Sequence, residues 1–158
     1  MSIIPVGPKI GPQQISGPVT TANPGKAVHA MYRKAGRPEQ ILRVAVVDDY
    51  ADLLEIATIM LKMKGFEPTD FDANNLSRED LLFGLLNGNF DLIICDGEMP
   101  VIRGDEVVSY LRENGYSGYI LANSAKEDSQ RAMMEAGADH KIPRKENFYQ
   151  FLEKEFCV

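Results

Sequence analysis

The chain has only two cysteines in 158 residues, Cys95 and Cys157, and they stand far apart. That scarcity argues against a disulfide framework, so a reducing cytoplasm is the expected compartment. No uninterrupted apolar run approaches the roughly 18 residues needed to cross a bilayer, and membrane insertion is not expected. The N-terminus, Met1-Ser2-Ile3-Ile4-Pro5-Val6-Gly7, lacks a charged segment leading into a long apolar stretch, so it reads poorly as a secretory signal. There is no internal repeat. Proline is sparse beyond residue 40: six of the nine (Pro5, Pro8, Pro12, Pro18, Pro24, Pro38) precede it.

What is present divides at the same point. A content of 44% hydrophobic and 25% charged residues suits a globular protein with room for one ordinary domain and a tail. Residues 1–40 hold five basic residues and one acidic one, a net of +4, so the remainder carries −10 to reach the total of −6. An acidic domain is a poor nucleic-acid binder, because phosphate contacts drive that affinity; no direct nucleic-acid partner is expected. The proline- and glycine-rich residues 1–25 read as irregular. Residues 26–35 could form one short helix, ended by Gly36 and Pro38. We therefore divide the chain into an N-terminal extension, 1–40, and a domain, 41–158.

Within the domain, Leu42 to Val47 is short, apolar and β-branched, as in a strand buried on both faces, and it stops at Asp48-Asp49. Residues 51–64 place Leu53, Ala57, Met60 and Leu61 at helical spacing, and Gly65 ends them. Phe66 to Phe71 is a weaker strand. Ser77 is the expected N-cap of a helix that buries Leu81, Leu82, Leu85 and Leu86 and stops near Gly88. Phe90 to Cys95 is a second buried strand, ending at Asp96. A loop through Met99-Pro100 and Gly104 precedes a helix with Val107, Val108 and Leu111. Tyr119 to Ala122 is a strand ending at Asn123-Ser124, and residues 126–136 form a helix closed by Gly137. His140 to Pro143 is a short strand, and Asn147 to Glu155 a closing helix facing inward through Phe148, Phe151 and Leu152.

Five strands alternating with helices predict an α/β fold, a doubly wound parallel sheet with helices on both faces. Such sheets bind ligands beyond the carboxyl ends of their strands. Asp48, Asp49, Asp96 and Ser124 lie at those ends. Three gathered carboxylates repel one another unless a cation joins them, and hard oxygen ligands suit Mg²⁺, which completes its shell with water and phosphate oxygens. The bland alternative is that Asp48 and Asp49 cap the following helix, whose dipole favours anions. Asp96 at the end of a second apolar strand argues against it.

Asp96 opens Asp-Gly-Glu-Met-Pro-Val-Ile-Arg-Gly. With the acidic pair Asp48-Asp49, with Met99, Pro100 and Gly104, with Ala122-Asn123-Ser124-Ala125 and with Ala136-Gly137-Ala138-Asp139, this chain resembles the receiver domains of two-component response regulators. The resemblance spans about residues 41–158 and is closest in style to single-domain, chemotaxis-type regulators. It implies a flavodoxin-like sheet of order 2-1-3-4-5. It implies that Asp96 is the phosphoacceptor, taking a phosphoryl group from a phosphohistidine. It further implies Mg²⁺ held by Asp49, Asp96 and the backbone carbonyl of Glu98, with Asp48 acting mainly through a metal-bound water. Ser124 would donate its hydroxyl to a phosphoryl oxygen, or else bond locally at its strand end. Glu98 and Lys126 stand two residues beyond Asp96 and Ser124. They could bridge the site and slow the hydrolytic water, or be two exposed charges of little consequence.

The fifth strand departs from the family pattern. Arg144 stands where a Lys normally meets the phosphoryl group, and a planar fork is not equivalent to a compact ammonium. Lys145 could substitute, although neighbouring strand residues face opposite ways. Lys141 occupies the position of an aromatic switch residue and cannot bury at low cost. His140 is expected to be an exposed strand-edge residue. The resemblance implies partners of two kinds, a histidine kinase or histidine phosphotransfer protein and a downstream protein target. It implies no turnover beyond self-catalysed phosphoryl transfer and dephosphorylation, and no output domain after residue 158. The alternatives are a pseudo-receiver interaction module with little or no phosphorylation, and an aspartyl-nucleophile phosphatase, whose usual Asp-x-Asp is here Asp96-Gly97-Glu98.

Overall fold

The computed structural model describes Val28, residues 40–142, and Gln150 and Phe151. Between residues 43 and 142 five strands and four helices alternate: β1 (Arg43–Asp48), α1 (Ala51–Met63), β2 (Glu67–Asp72), α2 (Arg78–Asn87), β3 (Leu92–Asp96), α3 (Gly104–Glu113), β4 (Tyr119–Asn123), α4 (Glu127–Ala136) and β5 (His140–Ile142). All pairings are parallel and the order is β2-β1-β3-β4-β5, as expected for a doubly wound sheet.

Period-two alternation builds a core on each face of the sheet. Val44 and Val46 of β1, Leu92 and Ile94 of β3 and Leu121 of β4 meet Leu53, Leu54, Ala57 and Leu61 of α1. Ala45, Val47, Ile93, Cys95, Ile120 and Ala122 face the other way, against α2, α3 and Met133 of α4. Both faces of the central strands are dry, which is why their sequences are continuous apolar runs. β2 is different. It is an edge strand whose residues are half-buried or exposed, held by its backbone pairing with β1 from Arg43↔Glu67 to Asp48↔Asp72.

The helix ends follow the local signals. The Ser77 side chain accepts the Asp80 N–H at 3.0 Å, capping α2. Gly65 and Gly137 take positive φ, +89° and +124°, just past α1 and α4, where a side chain would be strained. Gly104 opens α3 and does not belong to the preceding loop; a Cβ there would collide with the Asp96 carbonyl and lie 2.8 Å from the Gly97 Cα.

Opposite the strands' carboxyl ends, Arg112 of α3 fastens the loops. Its guanidinium donates to the carbonyls of Gly137 (3.0 Å), Tyr116 (2.9 Å) and Gly118 (2.9 Å), and pairs with Asp139 at 2.8 Å. The same Asp139 oxygen accepts the Ile120 N–H at 2.8 Å. Burial pushes the Asp139 carboxyl above its ordinary range despite these donors. Burial, with Asp139 nearby, pushes the Tyr119 phenol up to about 12.

Several expectations fall outside the described residues: Pro143, Arg144, Lys145, most of the closing helix and all of the extension except Val28 and Gln40. Gln150 and Phe151 are helical, and Phe151 packs on the α1-side core. Val28, in the extension, is helical and 1% exposed in that same core. His140 is half-buried, its ring stacked on Phe151 with centroids 6.3 Å apart, and so is less exposed than expected. Leu86 is half-buried where full burial was expected.

Candidate functional site

β1 and β3 run side by side with Val47 opposite Cys95, so the next residue on each, Asp48 and Asp96, end the two strands together. Asp49 follows where the chain leaves the sheet. A carboxylate oxygen from each of Asp48, Asp49 and Asp96 lies within 4.8 Å of the others. Asp48 is 0% and Asp96 2% exposed, while Asp49 is half-buried. Two of the three carboxylates are thus withdrawn from water beside a third, an arrangement whose repulsion a cation would relieve.

Backbone donors orient the acids. Asp48 Oδ1 accepts the Tyr50 N–H at 2.9 Å, and Asp96 Oδ1 accepts the Gly97 N–H at 2.7 Å. The Asp48 bond lies at the start of α1, as the capping alternative supposed, while the same carboxylate also joins the cluster. Capping therefore accompanies the cluster and does not replace it. The loop after β2 also braces the site. Ala73 N–H donates to the Asp48 carbonyl at 2.9 Å, and the Asn74 side-chain amide donates to the Asp49 carbonyl. Asp72 in turn fixes Asn74, accepting its N–H at 2.9 Å. Sequence reasoning missed Asn74; an Asp-x-Asn-Asn turn directly after β2 was the available signal.

β4 brings the hydroxyl. Asp96 pairs with Asn123, and Ser124, 3% exposed, is the next residue. Ser124 Oγ accepts the Lys126 N–H at 3.2 Å. The Ser124 side chain sits against Gly97, where an added Cβ would be 2.7 Å from its Cβ and its Oγ. Glycine at 97 is what allows the β3 and β4 ends to come so close. Gly104 performs the same service behind Asp96, and its N–H donates to the Gly97 carbonyl at 2.9 Å.

Two residues beyond Ser124 and Asp96, Lys126 and Glu98 form an ion pair at 2.9 Å, and Ser129 donates its hydroxyl to the other Glu98 oxygen at 3.0 Å. The side chains remain 69% and 50% exposed for Lys126 and Glu98. Ser129 was not foreseen as the third member. Lys141 is exposed on β5. The acids and Ser124 are brought together as expected, whereas Arg144 lies outside the described residues.

The chain is a doubly wound α/β domain of sheet order 2-1-3-4-5 with an acid cluster at its central carboxyl ends. Residues 44–154 match the family model described as the response regulator receiver domain, and the chain belongs to that family. Among curated relatives, the transcriptional regulatory protein PrrA of Mycobacterium tuberculosis is 34% identical over 99 residues, covering 61% of this chain and 41% of that protein. Two-component response regulator 24 of Arabidopsis thaliana is 32% identical over 101 residues, covering 63% of this chain and 70% of that one. The match spans about two fifths of the PrrA length. Among solved structures, response regulator protein TrrA of Thermotoga maritima, in complex with Mg(2+)-BeF, is 29% identical with a TM-score of 0.61, covering 72% of this chain and 96% of that one. Chemotaxis response regulator CheY4 of Vibrio cholerae shares the fold with a TM-score of 0.59 at 22% identity, over 73% of this chain and 98% of that one. Receiver domains of this family act in signalling. Among the described residues no helix is long and apolar enough to cross a membrane.

Proposed function

We propose that the chain is a phosphoacceptor of a two-component system or phosphorelay, taking a phosphoryl group from a phosphohistidine onto Asp96 and signalling by protein contact. The observation that carries this reading is the convergence of Asp48, Asp49 and Asp96 within 4.8 Å, with Asp96 almost wholly buried at a strand end. Three carboxylates are the donor set of a hard cation, so the residues present fit Mg²⁺. Asp49, Asp96 and the Glu98 carbonyl would hold it, with Asp48 bonded to one of its waters. When bound, the metal offsets the charge of the carboxylates and of the incoming phosphoryl oxygens.

The protein's own contribution is position and charge. The Gly97 N–H fixes one Asp96 oxygen, leaving the carboxylate oriented for in-line attack on the phosphorus. The bond from phosphorus to the donor histidine nitrogen breaks as the bond to an Asp96 oxygen forms. Ser124 then turns its hydroxyl from the local backbone toward a phosphoryl oxygen, and Arg144, two residues after β5 in the sequence, would meet another. A histidine kinase or histidine phosphotransfer protein supplies the group, and a protein target reads the change. The Lys126–Glu98–Ser129 bridge covers the approach to Asp96 and slows hydrolysis of the acyl phosphate.

Intact-mass measurement after incubation with Mg²⁺ and acetyl phosphate tests the reading. A phosphoryl adduct is expected on the wild type, lost when Mg²⁺ is chelated and lost in Asp96→Ala. A wild type that gains no adduct would instead identify a pseudo-receiver, and steady turnover of a generic phosphate ester would identify a phosphatase.

A further inference from the structure

Three polar residues stand in one row across the carboxyl edge of the sheet. Asp48 follows Val46 at strand spacing, Asp96 follows Ile94 and Asn123 follows Leu121, and those three apolar residues all belong to the α1-side core. Period-two alternation therefore puts Asp48, Asp96 and Asn123 on that same face. Asn123 pairs with Asp96 of β3 on one side and with Ile142 of β5 on the other. It is 1% exposed, and its carboxamide oxygen is buried with no hydrogen-bond partner among the described residues. We infer that this oxygen is a further acceptor of the cation site, meeting a water carried by the Mg²⁺ that Asp48, Asp49 and Asp96 fit. The inference rests on the proposed cation site and extends it by one residue.

A buried amide oxygen without a partner is destabilising, because it has lost water and gained no donor. An apolar side chain would suit the position better, as it does at Ile120, Leu121 and Ala122, the three buried residues before it on β4. Whatever satisfies the oxygen has to be a donor, since a carboxamide oxygen only accepts. Ionised Asp48 and Asp96 are acceptors as well and cannot serve it. The donor that such surroundings attract is the water of a hydrated divalent cation. Mg²⁺ bound through a few carboxylates keeps several waters, and each of those waters needs acceptors. A polar group left unsatisfied until its ligand arrives breaks the rule of a well-packed core, as functional positions do.

Thermal unfolding of the full chain without metal, together with calorimetric titration by Mg²⁺, tests the role with Asn123→Val and Asn123→Asp. Without metal, Asn123→Val is expected to melt about 3 °C above the wild type, because the orphaned oxygen is gone. Its Mg²⁺ affinity is expected to fall about tenfold, the scale of a lost outer partner of a metal site. Asn123→Asp keeps an acceptor and adds a like charge to the acids. It is expected to melt below the wild type without metal, yet to bind Mg²⁺ at least as tightly.

Stability and metal affinity moving in opposite directions is the signature that a merely structural asparagine would not give. A metal-free melting point of Asn123→Val below the wild type would show that a protein donor already meets the oxygen, and would overturn the inference. Asn123→Asp binding Mg²⁺ as weakly as Asn123→Val would also overturn it. Equal affinity in wild type and Asn123→Val would overturn it while leaving the cation site intact. A wild type that does not bind Mg²⁺ would overturn the cation site and this inference together.

Discussion

The carboxyl ends of β1 and β3 and the edge at β5 belong to one sheet, yet they hold charge by opposite means. At β1 and β3 the acids are buried, and their geometry is set by backbone donors and close glycine contacts. At β5, Lys141 is exposed and His140 lies against Phe151. On the proposed function, the pocket at β1 and β3 has to be precise, whereas the surface at β5 is free to differ. An aromatic residue at 141 could turn inward; an ammonium there stays in water. On the proposed function, transmission from Asp96 would use some feature other than a burying ring at 141.

The comparison predicts steep effects in the pocket and shallow ones at the edge. Asp49→Ala should lower Mg²⁺ affinity by about 100-fold, because one of few charged ligands is lost; isothermal titration calorimetry reads it. An unchanged affinity would remove Asp49 from the metal site. Next in size is the brace at the opposite end of the sheet. Arg112→Ala should cost about 3 kcal/mol in urea unfolding at neutral pH, since it strands a half-buried Asp139 charge and three carbonyls. The sign with pH follows from the raised Asp139 carboxyl. A carboxyl raised on folding favours the protonated form, so its contribution is present in acid and lost as pH rises through the folded pKa. Arg112 opposes that loss by favouring the charge, and Arg112→Ala should therefore cost less in acid than at neutrality. A cost independent of pH would separate Arg112 from Asp139.

Smaller effects follow for exposed groups. Glu98→Gln should speed loss of the phosphoryl adduct by about threefold, the scale expected of a half-exposed ion pair. Slower loss would mean that the bridge does not shield the acyl phosphate. Lys141→Tyr should change stability by less than about 0.5 kcal/mol, as at an ordinary surface position. A larger change would show that the edge is more constrained than its exposure indicates.

Much of this fold was legible in the sequence because its central strands are buried on both faces. Leu42 to Val47 and Phe90 to Cys95 read as apolar runs, and each run stops at a carboxylate. The site was legible for the same reason, since Asp48, Asp49, Asp96 and Ser124 all follow such runs. β2 was weakly marked because the edge strand is specified by backbone pairing with β1 and buries little. Asn74 was missed because it acts through an amide on a backbone carbonyl, a contact that leaves no periodic trace. Burial of Val28 was hidden by its proline- and glycine-rich surroundings, which argue against any core contact until the tertiary position is known. Ser129 completes the Glu98–Lys126 bridge from the first turn of α4, where its spacing from Glu98 carries no sequence signal.

The central claim is that one carboxylate among three, Asp96, accepts the phosphoryl group. Borohydride reduction of the phosphorylated chain followed by peptide mapping tests it directly, because an aspartyl phosphate is reduced to homoserine. The account predicts homoserine at position 96 alone, dependent on Mg²⁺ and phosphodonor. Reduction at position 48 or 49, or none in a chain that carries the adduct, would contradict it.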